Sequence, residues 1–175
     1  FYIDKTEFIK EWWESDDAVT LITRPRRFGK TLNMSMLEKF FSIEYAKRDE
    51  LFEGLNIWKY KEYREIQGTY PVIFLSFANV KENTYDQARE SICRIIQELY
   101  NKNVFLLQSN LLTDNEKEEY KQISTKMNDS MISDSVRKMS DYLSRYYGKK
   151  TIILLDEYDT PIQEAYVGGF WPDLM

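Results

Sequence analysis

The sequence predicts an α/β fold in three layers, with helices on both faces of a mostly parallel sheet. Three observations predict it. Apolar runs of strand length stand at Val19-Thr20-Leu21-Ile22-Thr23, Val72-Ile73-Phe74-Leu75-Ser76-Phe77 and Thr151-Ile152-Ile153-Leu154-Leu155. Patterns with helical spacing separate them, which implies parallel pairing, and their continuous apolar character fits a sheet covered on both sides. The loop after the first run closes on Gly29-Lys30-Thr31, and the third run ends in Asp156-Glu157.

Residues 4–15 read as a helix. Asp4 stands three residues before Glu7 in a capping-box arrangement, and Phe8, Ile9, Trp12 and Trp13 form an apolar face. The run 19–23 reads as a short buried strand. From about Lys30 to Ser42 a second helix is apolar over a broad face (Leu32, Met34, Met36, Leu37, Phe40, Phe41), so it is expected to be largely buried. Residues 43–70 are mixed and charged and pack locally, with Gly68-Thr69-Tyr70-Pro71 marking a turn. After the second strand, Thr84 and Gln87 make a capping box for a helix with the stripe Ala88, Ile92, Ile95, Ile96 and Leu99. Thr113 and Glu116 make another, predicting an exposed helix from Thr113 to Lys126. The following helix carries Ile132, Val136, Met139, Leu143 and Tyr146 and stops at Gly148.

Composition narrows the chemistry. The chain has 175 residues, 43% hydrophobic and 30% charged, which suffices for one domain with a core. No apolar run approaches the ~18 residues that span a bilayer. No secretory leader is evident, and the opening Phe1-Tyr2-Ile3 reads as the interior of a trimmed domain. There is no His, so imidazole acid–base chemistry and His-based metal sites are excluded. Cys93 is the single cysteine, which fits a reducing cytoplasmic setting and a packed bystander role. A net charge of -5 gives no global support for nucleic-acid binding, so the cluster Arg24, Arg26, Arg27 and Lys30 suits a small polyanion.

A strand, a loop closing on Gly-Lys-Thr, a helix and a later apolar strand ending in acids is the layout of a P-loop NTPase core. Gly29 lets backbone N–H groups approach a phosphate, and the helix starting near Lys30 aims its positive dipole end at the anion. Lys30 is placed to reach the β- and γ-phosphates and Thr31 to supply a hydroxyl to Mg²⁺. Phe28 and Leu32 flank them, and Arg26 and Arg27 are either phosphate ligands or surface charges. Arg24 stands where the motif G-x-x-x-x-G-K-[ST] begins with Gly, so the first turn of the loop departs from the standard one. Asp156 reads as the Walker B carboxylate that holds Mg²⁺ and Glu157 as the general base for the attacking water. Each half has an ordinary alternative: Gly-Lys-Thr also starts plain helices, and two acids commonly end a strand. Their coexistence in one chain favours the nucleotide reading. Asp159 reads as a cap for the next segment. Tyr2, Trp12 and Trp13 could border an adenine pocket, but such aromatics are more often core.

The runs Tyr2-Ile3-Asp4-Lys5-Thr6, Leu21-Ile22-Thr23-Arg24-Pro25-Arg26-Arg27-Phe28-Gly29-Lys30-Thr31-Leu32, Phe40-Phe41 and Leu154-Leu155-Asp156-Glu157-Tyr158-Asp159-Thr160-Pro161-Ile162 resemble the predicted AAA-ATPase-like family of bacteria. The resemblance covers nearly the whole chain, and Arg24 belongs to the family's form of the loop. It implies a P-loop NTPase of the AAA/STAND type that binds ATP and Mg²⁺, with ATP favoured over GTP. It also implies that residues 1–175 are the N-terminal part of one such domain, cut before its last core strands. A C-terminal nuclease-like domain of the same chain is the implied partner; nucleic acid would be met only through other domains, no membrane is involved, and a homo-oligomer is compatible. Three functions follow as expectations: an ATPase, a nucleotide switch with little hydrolysis, and an ATPase module serving an attached nuclease.

Overall fold

Short-range patterning sets most of the elements that form. The computed structural model describes residues 3–23 and 28–170. Its helices are α1 (Glu7–Glu14), α2 (Lys30–Phe41), α3 (Lys61–Ile66), α4 (Tyr85–Lys102), α5 (Asp114–Lys121), α6 (Asp129–Tyr147) and α7 (Thr160–Gly168), and its strands are β1 (Val72–Ser76) and β2 (Ile152–Asp156). The chain divides into two compact units, residues 1–72 and 73–175.

In the first unit, α2 is the central element. Leu37, Phe40 and Phe41 are buried, and Trp13 stacks on Phe41 with ring centroids 5.0 Å apart while Trp12 meets it edge-on at 5.5 Å. The two half-buried tryptophans thus pack against the core, at a separation where aromatic pairs attract. Residues 68–70 clasp the C-terminal end of α2: the N–H groups of Gly68 and Tyr70 donate to the carbonyls of Phe40 and Phe41. Gly68 is required there. Its φ is +64°, and an added Cβ would lie 2.3 Å from Ala46 Cα.

The run 19–23 corrects the expectation of a buried strand. It forms none, and Val19 and Leu21 are 88% and 63% exposed. A strand is stable only against a partner, and among the described residues nothing pairs with this run. α2 is also less buried than its composition predicts, because Leu32 faces solvent. Asp4 does not cap α1. Thr6 holds the N-cap position without a side-chain cap bond, and the Asp4 carboxylate is engaged elsewhere.

In the second unit, β1 and β2 pair in parallel, making an α/β arrangement with a two-stranded sheet. Ile73 and Leu75 of β1 point into a core with Cys93, Ile96 and Leu99 of α4 and Met139 and Leu143 of α6. Cys93 is a packed hydrophobe here, as its place beside the stripe suggests. β2 is covered on one side only: Leu154 and Asp156 are buried while Ile153 and Leu155 are more than 40% exposed. That corrects the expectation that every strand is covered on both faces. α5 stops at Lys121 rather than Lys126, because Tyr120 turns inward to donate to the Tyr100 carbonyl at 2.6 Å and the chain bends to bury Met127. Its Thr113–Glu116 capping box forms with both reciprocal bonds.

Candidate functional site

Gly29 sets the geometry of the loop that leads into α2. It is the N-cap of α2 in the left-handed region (φ 79°, ψ 24°), which a residue with a Cβ enters only under strain. The first helical bond runs from Asn33 N–H to the Gly29 carbonyl at 3.0 Å, so the N–H groups of Lys30, Thr31 and Leu32 precede the helical ladder. No side chain caps this end of the helix. The macrodipole of a twelve-residue helix adds partial positive charge there. Lys30 is half-buried, while Phe28, Thr31 and Leu32 are exposed. The aromatic packing at the far end of α2 fixes the helix, and with it the direction of these N–H groups. Arg24, Pro25, Arg26 and Arg27, together with Tyr2, lie outside the described residues.

A feature that the sequence did not disclose lies beside Gly29. Within 4 Å of the position a Gly29 Cβ would take, the only described neighbour is the Lys5 ammonium, at 3.9 Å. The turn that carries Lys5 is anchored on both sides. The Asp4 carboxylate accepts from the Thr6 N–H (2.9 Å), the Thr6 hydroxyl (2.7 Å) and the Asn56 N–H (2.7 Å). Thr6 is buried, and its hydroxyl oxygen accepts from the Ile57 N–H at 3.1 Å. Burial pushes the Asp4 carboxyl up, but the hydrogen bonds from Thr6 and Asn56 outweigh it and hold the group below its ordinary value. Local sequence gives no signal of this, since Asn56 and Ile57 are some fifty positions away.

The second unit supplies the acids. Asp156 is the last residue of β2 and only 5% exposed. Its carbonyl accepts from Phe77 N–H at 3.0 Å, but its carboxylate has no hydrogen bond or ion pair among the described residues. Its oxygens keep contact with solvent, since among the described residues no fully buried side-chain oxygen lacks a partner. Among the described residues no three Asp, Glu or Cys groups gather around a metal position. One carboxylate and one hydroxyl nevertheless suit Mg²⁺, which keeps several waters and completes its shell with substrate phosphates. Asp156 in the second unit and Thr31 in the first each carry a donor type that suits this ion.

Glu157 follows with φ +49°, a left-handed backbone that is rare for a residue with a side chain. Its carboxylate is exposed and accepts from the Thr160 hydroxyl at 3.3 Å. Asp159 occupies the N-cap of α7 without making a cap bond and instead accepts from Gln163 at 2.5 Å. α7 is held by Ala165, packed with Val80, Ala88 and Phe170.

Known proteins add a family. The family described as "Predicted AAA-ATPase" matches residues 1–169. A protein of Azotobacter chroococcum mcd 1, described as "Uncharacterized protein in vnfD 5'region", is 28% identical over 162 residues, covering 93% of this chain and 26% of that protein. The chain thus spans about a quarter of the length of the curated relative it matches. No solved structure matches. Among the described residues no helix is long and apolar enough to cross a membrane.

Proposed function

The chain belongs to the predicted AAA-ATPase family, and on that premise we propose that it binds Mg-ATP within a P-loop NTPase core and hydrolyses it to ADP and phosphate. The observation that carries this reading is the start of α2: a left-handed Gly29 with no described backbone crowding its Cβ position, followed by Lys30 and Thr31 at an uncapped helix N-terminus. The backbone N–H groups of residues 29–32 would cradle phosphate oxygens, and Lys30 would pair with the β- and γ-phosphates. Thr31 and Asp156 would hold Mg²⁺, which when bound supplies charge neutralisation at the phosphates. Glu157 would accept a proton as water attacks the γ-phosphorus; the bond from that phosphorus to the β–γ bridging oxygen breaks, and the electron pair leaves with ADP. Arg26 and Arg27 carry further positive charge next to the loop in sequence.

One observation favours a second reading, a nucleotide switch with little turnover. The Glu157 carboxylate is occupied by the Thr160 hydroxyl, an engagement that competes with activation of water.

Titration of Mg-ATP by calorimetry into the wild type and Lys30→Ala tests the site. Binding that the substitution abolishes is the expected result; absence of binding by the wild type would sink the proposal. Single-turnover assay of the wild type beside Glu157→Gln separates the two readings. An ATPase loses its turnover in the variant and keeps its affinity, whereas a switch shows negligible turnover in both.

A further inference from the structure

We propose that Lys5 is a second phosphate-binding cation of the α2 loop, delivered from the N-terminal turn to the side of Gly29 that carries no side chain. The inference rests on the reading that this loop holds a nucleoside polyphosphate.

Three observations carry it. First, the Lys5 ammonium is 3.9 Å from where a Cβ on Gly29 would be, beside the backbone that leads into the free N–H groups of Lys30, Thr31 and Leu32. Second, the backbone of the turn that carries it is held through both neighbours. Asp4 takes three hydrogen bonds, one from Asn56, and Thr6 is buried and bonded to Ile57. Third, Lys5 makes no ion pair among the described residues, although the chain carries an excess of acids and pairs many of its other cations. An ammonium beside Gly29, at an uncapped helix N-terminus, has no counter-charge among the described residues. An anion bound at the loop supplies it.

The chemistry defines the ligand class. A lysine ammonium is a compact charge with three donors and suits a phosphate oxygen rather than a base or ribose. With Lys30 already placed for the β- and γ-phosphates, Lys5 adds selectivity for nucleotides with more than one phosphate. Asp4 and Thr6 act as positioning residues through Lys5.

The test is calorimetric titration of Mg-ATP, Mg-ADP and AMP into the wild type, Lys5→Ala, Lys5→Arg and Lys30→Ala, at two salt concentrations. Lys5→Ala is expected to weaken ATP roughly tenfold, the size of one charge-assisted contact. AMP affinity should change little, and the salt dependence of ATP binding should become shallower. Lys5→Arg should recover part of the loss. Because Lys5 is exposed and makes no ion pair among the described residues, the ligand-free melting temperature should not move. ATP affinity unchanged in Lys5→Ala, while Lys30→Ala abolishes it, would overturn the role of Lys5 and leave the loop reading standing. Equal loss for AMP and ATP would overturn it too, since Lys5 would then act on the fold or the base. A wild type that binds none of the three overturns both.

Discussion

Gly29 and Gly68 have the same backbone handedness, and replacing each by alanine should separate function from folding. Both lie at positive φ, +79° and +64°, so an alanine at either costs about 1–2 kcal/mol of left-handed strain. That is offset by the ~0.4–1 kcal/mol that a less flexible unfolded chain returns. At Gly29 nothing else opposes the new Cβ, whose one described neighbour is the end of a flexible lysine 3.9 Å away. The net cost is about 1 kcal/mol. At Gly68 the Cβ would sit 2.3 Å from Ala46 Cα and 2.8 Å from its nitrogen, atoms of a backbone that must itself move. Overpacking of this kind adds about 1–3 kcal/mol, and displacement of the Gly68 N–H from the Phe40 carbonyl adds ~1 kcal/mol more. The sum at Gly68 is about 2–5 kcal/mol. In a chain of this size each 1 kcal/mol moves the melting temperature by roughly 2–4 °C. Three of the four tryptophans, Trp12, Trp13 and Trp58, lie in the first unit, so tryptophan fluorescence during urea or thermal unfolding reports mainly on it. Gly68→Ala should melt many degrees lower, and Gly29→Ala within a few degrees of wild type. Ligand binding should invert the ranking: Gly29→Ala loses Mg-ATP affinity because its methyl group occupies the side of the loop turned to Lys5, and folded Gly68→Ala keeps it. Equal melting temperatures for the two variants would refute the steric argument. Wild-type affinity in Gly29→Ala would refute the assignment of that open side to phosphate.

Three further outcomes follow from other parts of the chain. Asp156→Asn removes a carboxylate that has no hydrogen-bond or ion-pair partner among the described residues and keeps solvent contact, so without metal it should match wild type in urea, while Mg²⁺ with ATP should raise the stability of the wild type alone; lower metal-free stability would mean that the carboxylate has a structural partner. Glu157→Gly relieves the left-handed strain at φ +49° and should stabilise the fold by ~1 kcal/mol in the same assay; a loss of stability would show that the Thr160 contact outweighs the strain. Glu116 is held below its ordinary 4.5 mainly by the hydrogen bond from Arg145, with burial opposing. A carboxyl whose value is depressed by folding contributes stability above its unfolded value and loses it as the pH falls through its lower folded one. Urea midpoints measured from pH 7 to pH 3 should therefore drop less steeply in Arg145→Gln than in wild type, and identical slopes would sink this account.

Elements set by local periodicity or chemistry were legible in the sequence, and those set by remote partners were not. The stripes of α4 and α6 bury Ala88, Ile96, Leu99, Met139 and Leu143 as their spacing requires, and Thr113 and Glu116 find each other because a capping box is complete within four residues. Asp4 and Glu7 carry the same spacing, yet Asp4 is drawn to the Asn56 N–H, which only the folded chain brings near. Val19 to Thr23 has the composition of a strand, but strand formation is a property of a pair, and the run alone could not reveal the missing ladder. For the candidate site, Gly29 and Lys30 at the head of a helix were readable from the tripeptide. Lys5 was not, because its relation to Gly29 runs through a turn anchored some fifty residues downstream.

Asp4, Lys5 and Thr6 differ in burial in a way that separates structural from functional selection. Thr6 is buried and Asp4 partly so, and each satisfies backbone N–H groups of the segment at Asn56–Ile57, roles that account for both residue types. Lys5 sits between them, exposed and without a partner among the described residues, so folding gives no reason for a lysine there. Glu157 presents the same logic in the second unit, as an exposed side chain on a backbone that glycine would adopt at lower cost. Stability alone would place a small polar residue at position 5 and glycine at position 157. On the proposed reading, a cation at the first and a carboxylate at the second are what phosphate binding and water activation require, and at both positions the sequence departs from what the fold alone asks.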